Sequence, residues 1–364
     1  MSSSPSSEGT GQLASVVVPP DLKGRFCRKP FENLAIDADA NAWLCCEDWL
    51  SMPVGNVRED GLLGSWNSAA AQAVRASILD GSYRYCNADA CPAIVADSLE
   101  HMSEVDDEDM RRYIDESTVE MPQGPRLLGL GYDNTCNLKC PTCRPVLMTL
   151  SGDARREADR VQREVIDVLP AARVLLITGT GDAFASPLYR TLLRTFDAAR
   201  WPSLQIILMT NGLLLTPAMW DSIAASHHAI QGVSISVDAA TAETYAETRG
   251  GDFRRLLENL GFVAALTAAG HLQWLELSFV VQQRNYREMP AFVRMGRRMG
   301  CTSVLFQRVM HWKDAMDDAA YAMAAVHRPE HPEHAAFLDV LADDTLSDAI
   351  VDLSNLAHLR AALV

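Results

Sequence analysis

The chain has 364 residues, with 32 Lys and Arg against 47 Asp and Glu, so its net charge is −15. A surface that acidic repels phosphate backbones and anionic bilayers, which argues against nucleic acid or a membrane as the main partner. Hydrophobic residues make up 48% and charged residues 22%, which excludes wholesale disorder and suits about two globular domains.

In chain order, residues 1–20 read as a disordered tail ending at Pro19-Pro20. They lack the basic region and apolar core of a secretion signal. No later run reaches the roughly 18 apolar residues of a membrane span, so a cytoplasmic protein is expected. In that reducing compartment the nine cysteines are not a disulfide framework. Five come early, at Cys27, Cys45, Cys46, Cys86 and Cys91, and three sit together at Cys136, Cys140 and Cys143. Clusters of this kind point to metal. Cys301 stands alone and reads as a small buried hydrophobe.

Residues 21–95 form a cysteine-bearing module. Residues 96–125 read as an acidic linker, closed by Pro122, Gly124 and Pro125. The pattern then changes over 126–310. Apolar runs predict strands at 127–132, 173–178, 204–210, 232–237, 272–281 and 303–309. Amphipathic segments between them predict helices at 153–168, 187–199, 217–226, 253–269 and 287–299, with Pro187 and Pro217 in the first turn where proline is tolerated. Arg294, Arg297 and Arg298 read as a solvated face of the last of these helices. Such alternation implies parallel strands with crossover helices. Six units are too few for a closed eight-stranded barrel, so a partial barrel or an open α/β sheet remains. Either gathers its ligands at the carboxyl ends of the strands. Residues 311–364 read as a helical and loop extension. In it, Pro329 and Pro332 keep His327, His331 and His334 off a common helix face, so they read as a surface loop.

The chemistry concentrates in Cys136-Asn-Leu-Lys-Cys140-Pro-Thr-Cys143, directly after the first predicted strand. Three thiolates at that spacing can wrap a cubane iron–sulfur cluster and leave one iron open to a chelating ligand. Zinc is the alternative, but a structural zinc site wants four ligands and no fourth is near.

At this point the chain resembles the radical S-adenosylmethionine (radical SAM) superfamily, whose C-x3-C-x2-C follows the first strand of a partial (β/α)6 barrel. The resemblance implies a [4Fe–4S] cluster on Cys136, Cys140 and Cys143, with S-adenosylmethionine at the open iron. Thr178-Gly179-Thr180-Gly181-Asp182 occupies the place of the family's Gly-Gly-Glu motif, though Thr180 intervenes and Asp182 replaces the glutamate. By that resemblance Gly179, Gly181 and Asp182 would receive the methionyl ammonium. Asn211 lies in Thr210-Asn211-Gly212 after the third strand, as in many members. Ser236 and Arg249 would take the cofactor's carboxylate, and Asn285 would add a contact, unless it only caps its loop. A guanidinium suits a carboxylate because it can bind it in two-pronged fashion.

The early cysteines resemble the auxiliary-cluster module called SPASM, or its shorter twitch form. Cys27, Cys45, Cys86 and Cys91 would then hold a second [4Fe–4S] cluster, with zinc as the rival at four thiolates. Cys45 is chosen over Cys46 because strand neighbours point to opposite faces. Cys46 is left buried or as a hydrogen-atom donor. The module precedes the barrel here, whereas in most members it follows. The implied activity is reductive cleavage of S-adenosylmethionine, by a flavodoxin- or ferredoxin-type reductant, to a 5′-deoxyadenosyl radical that abstracts a substrate hydrogen. With the auxiliary cluster, oxidation or bond formation on a small metabolite is expected. The alternatives are a peptide-modifying maturase, an epimerase and a non-catalytic electron carrier.

Overall fold

The computed structural model describes residues 21–178, 180–312 and 315–363. The strands in chain order are β1 (Arg25–Phe26), β2 (Asn33–Ile36), β3 (Asn41–Trp43), β4 (Gly55–Asn56), β5 (Glu100–His101), β6 (Leu127–Leu130), β7 (Val174–Ile177), β8 (Gln205–Thr210), β9 (Ile230–Ser236), β10 (Trp274–Val281), β11 (Ser303–Arg308) and β12 (Val351–Asp352). Ten of them make one sheet in the order β12-β11-β10-β9-β8-β7-β6-β2-β3-β4. From β12 through to β2 every pairing is parallel. The β2–β3 and β3–β4 pairings are antiparallel.

All six strands predicted over 126–310 form, with ends shifted by three residues or fewer. The cause is visible in β10. Leu275, Leu277, Phe279 and Val281 are fully buried, while Trp274, Glu276, Ser278 and Val280 are half-buried. One face of the strand is wholly buried and the other only half-buried. On the half-buried face Trp274 lies over Gly232, where a Cβ would come within 2.1 Å of the indole. The helices begin where their caps dictate: Ser186 Oγ accepts from Tyr189 N–H, Thr216 Oγ1 from Met219 N–H and Asp252 Oδ1 from Arg255 N–H. The helix from Met289 to Met299 stops at Gly300, whose φ of +70° closes its end. The helix from Pro187 ends at Arg194, five residues sooner than its pattern predicts.

Three features differ from the sequence reading. First, the cysteine module shares the main sheet, because β2 pairs with β6 in register from Asn33↔Leu127 to Ile36↔Leu130. Second, residues 96–125 are ordered. They supply β5, antiparallel to β1, and a helix from Glu108 to Asp115. Three of their acids are paired, Glu100 with Arg28 and Asp107 and Asp109 with Arg126. Third, the extension adds β12 beside β11, and its histidines brace the chain. His331 is buried, with Nε2 3.0 Å from Met323 O, and His334 Nδ1 lies 3.0 Å from Val326 O. Arg297 pairs with Asp348 instead of lying free. Among the described residues no helix is long and apolar enough to cross a membrane. Residues 1–20, read as a tail, lie outside the described residues.

Candidate functional site

Beyond Leu130 the chain turns into the Cys136–Cys143 loop, which is pinned from behind. Asp133 accepts from Thr135 N–H at 2.9 Å and from the Ser186 hydroxyl at 2.5 Å. The turn after β7 packs against it so closely that a Cβ on Gly181 would meet the carbonyl oxygens of Asp133 and Thr135 at 2.8 Å. Arg144 stitches the two loops together. Its guanidinium donates to Asn134 O at 2.8 Å and to Thr180 O, and reaches Cys143 Sγ at 3.3 Å.

Cys136, Cys140 and Cys143 then line one cavity with Thr178, Gly181, Asn211, Ser236 and Arg249. Each sulfur faces an N–H donor. Leu138 N lies 3.5 Å and Asn211 Nδ2 3.8 Å from Cys136 Sγ, Arg249 Nη1 lies 3.7 Å from Cys140 Sγ, and Arg144 serves Cys143. Burial raises the Cys136 and Cys140 thiols. The Leu138 amide and Arg144 draw the first back, and Arg249 draws the second back. Donors and cations aimed at sulfur favour thiolates, the form that binds iron. This donor set fits an iron–sulfur cluster at the three cysteines.

Arg249 is held in the cavity by Asp238, whose Oδ2 lies 2.8 Å from Arg249 Nε in a buried ion contact rather than an aligned hydrogen bond. Asp238 has a left-handed φ of +61° and accepts from Val280 N–H at 2.6 Å. The sequence reading assigned no role to Arg144 or Asp238. The signal for Arg144 was its place directly after the third cysteine. For Asp238 it was an acid ending the strand that carries Ser236.

Other expected residues stand elsewhere. Asp182 is fully buried and its carboxylate is used up. One oxygen accepts from Phe184 and Ala185 N–H, and the other from the Thr210 hydroxyl at 2.7 Å and Asn211 N–H at 2.8 Å. It anchors the turn after β7 to the end of β8 and has no oxygen left for an ammonium. Asn285 also works inside the protein. Its amide donates to Asp238 O and Val280 O and accepts from Gln282 N–H, closing the loop after β10. Gly179 lies outside the described residues.

The second group of thiols is assembled by the hairpin and the segments around it. Cys27 follows β1 and Cys45 follows β3. Asn33 Nδ2 holds Leu44 O at 3.0 Å, and a bridge between Leu50 and Cys86 brings the later pair alongside. Cys91 precedes the short helix Pro92–Val95. Cys27, Cys45, Cys86 and Cys91 line a cavity of about 430 Å³ with Lys29, Trp49 and Tyr83. Asp352, Ser354 and Ala357, just after β12, close one wall. Burial pushes the Cys27, Cys45 and Cys86 thiols up to about 12, and the neighbouring thiols add to this. Among the described residues no three His, Cys, Asp or Glu side chains converge as on a single ion. The four thiols instead surround a space, which fits a polynuclear cluster. Cys46 is absent from this lining and from the C-terminal cavities, and sits beside Glu47 and Asp48. The two thiol cavities have no lining residue in common.

The profile of an iron–sulfur cluster-binding domain, SPASM, matches residues 27–92. The chain is 25% identical over 190 residues to the AdoMet-dependent heme synthase of Methanosarcina barkeri, covering 51% of each. It is 30% identical over 173 residues to the mycofactocin maturase MftC of Mycobacterium tuberculosis, covering 46% of this chain and 40% of that one. The chain thus spans about half the length of the curated relatives it matches. The solved structure of Streptococcus suis SuiB bound to its precursor peptide SuiA superposes with a TM-score of 0.41 at 14% identity, over 71% of this chain and 57% of that one. The profile match places a SPASM module at residues 27–92, ahead of the strand-and-helix core that carries the C-x3-C-x2-C loop, and over about half of its length the chain is similar to radical SAM enzymes.

Proposed function

We propose that the protein is a radical SAM enzyme acting by hydrogen-atom abstraction, with an auxiliary cluster assisting oxidation or bond formation on its substrate. The observation that carries this reading is the convergence of Cys136, Cys140 and Cys143 with Asn211, Ser236 and Arg249 on one cavity at the strand ends. In this reading the parallel strands from β6 to β11 are an incomplete barrel around the substrate. Cys136, Cys140 and Cys143 hold a [4Fe–4S] cluster with one open iron, and Cys27, Cys45, Cys86 and Cys91 hold a second.

When bound, the cluster and S-adenosylmethionine together supply one-electron cleavage of the sulfonium and a carbon radical that takes hydrogen. The chain's own residues bind and orient. Arg249, steadied by Asp238, offers its remaining N–H groups to the cofactor's carboxylate, and Ser236 adds a hydroxyl. Arg144 and Gly181 fix the cysteine loop. The ammonium's acceptors come from the backbone of the turn after β7, because the Asp182 carboxylate is engaged. A flavodoxin- or ferredoxin-type reductant supplies the electron.

For the substrate, we favour a small metabolite. A peptide is the second reading, because one relative is named a maturase while the other is named a heme synthase. Anaerobic reconstitution tests the proposal. About eight irons per chain and dithionite-dependent release of 5′-deoxyadenosine are expected. Replacing Cys136, Cys140 and Cys143 with alanine removes the second and about half the first. Zinc without iron, or iron with no sulfonium cleavage, overturns it.

A further inference from the structure

Two more cavities open beyond the end of β11. One, of about 540 Å³, is lined by Trp43, Glu47, Asp48, Arg308, His311 and Trp312 among others. The second, of about 380 Å³, is lined by Arg308, Tyr321, His327, Arg328, Asn355 and His358. They meet at Arg308 and Tyr321 but differ in charge. The first presents two carboxylates, and the second has none in its lining among the described residues. Arg308 reaches back to Asp48 at 3.3 Å, and Arg328 lies 3.5 Å from the exposed Glu330 at the rim.

Four basic side chains gathered on one cavity are notable in a chain of net charge −15. The two arginines carry the charge, and with burial they hold the histidines neutral. Burial first, then Arg308 and Arg328, draws His327 down to about 3, and burial and Arg308 lower His358. His327 Nδ1 is buried with no hydrogen-bond partner among the described residues. A negative group in the cavity would pair with the two arginines and give that nitrogen a partner.

We propose that this cavity is a binding site for a small anionic ligand bearing a phosphate or carboxylate group, held by Arg308, Arg328, His327 and His358. The neighbouring cavity, with Glu47 and Asp48, repels the same group, so of these two cavities the anion takes this one. Ser354 and Ala357 face the four-thiol cavity while Asn355 and His358 line this one, so a single short segment separates the two. The inference is independent of the proposed activity.

Isothermal titration calorimetry of the full chain with inorganic phosphate and, separately, with succinate tests it. Saturable binding of one anion per chain is expected for at least one of the two; which one identifies the group. R328Q and H358Q each weaken it about tenfold, the loss of one hydrogen bond to a charged group. Arg194→Gln, on a remote exposed helix end, leaves it unchanged. Arg328 is largely exposed, so R328Q is expected to fold. If H358Q does not fold, R328Q set against R328K, which keeps the charge, carries the comparison. No saturable binding of either anion, or wild-type affinity in R328Q, overturns the proposal.

Discussion

Replacing Asp182 with asparagine separates a cofactor contact from an internal brace. The side chain is fully buried and accepts four hydrogen bonds, two at each oxygen. An amide NH₂ must take the place of one oxygen. Facing Phe184 and Ala185 it orphans two N–H groups; facing Thr210 and Asn211 it orphans the Asn211 N–H and forces the hydroxyl to turn. Hydrogen bonds to a charged group contribute about 1.5–3 kcal/mol each, so the orientation that loses one costs about 1.5–3 kcal/mol and the one that loses two about 3–6 kcal/mol. Anaerobic urea unfolding followed by circular dichroism measures this as a lower midpoint. A loss below about 1 kcal/mol accompanied by weakened S-adenosylmethionine binding would refute the argument. It would return Asp182 to the ammonium-binding role that the sequence motif implies.

Cys45→Ala is expected to lower iron by about four per chain, whereas Cys46→Ala leaves it unchanged; iron analysis of reconstituted protein distinguishes them. In Gly181→Ala the added methyl meets backbone at 2.8 Å and displaces the cysteine loop. Iron at Cys136, Cys140 and Cys143 should fall while that of the SPASM module stays, read by electron paramagnetic resonance. Gly232→Ala drives a methyl into the Trp274 ring and destabilises by about 1–3 kcal/mol, an effect relieved by adding Trp274→Leu. Glu333 is held down to about 2 by hydrogen bonds from Gln283, Tyr286 and Arg287. Its folded value lies below its unfolded one, so its stabilisation is full above about 4.5 and is lost as pH falls towards 2. In Glu333→Gln the thermal midpoint of the metal-free chain should therefore depend less on pH across that window.

The elements legible in the sequence were those specified locally. Runs such as Trp274–Val281 announce a strand by their alternation, and Pro187 and Pro217 mark the first turns of their helices. The two cysteine groups were visible as clusters, and of Cys45 and Cys46 only the first lines the cavity shared with Cys27, Cys86 and Cys91. What escaped depends on partners far away in the chain. The acids of 104–109 look like a solvated linker until Arg28 and Arg126 are seen beside them. The pairing of β2 with β6 is tertiary, and no pattern within Asn33–Ile36 names its neighbour. Asp182 suited an ammonium by chemical type, but its backbone turn and Thr210 claim it first.

The pairing of β2 with β6 also bears on how the chain is made. Ile36 precedes Leu127 by about ninety residues, which a ribosome takes roughly 5–20 s to add. Throughout that interval the nascent β2 has β3 on one side and an open edge on the other, within reach of any stray strand. Factors that shelter such edges during translation should then raise the yield of correctly formed protein.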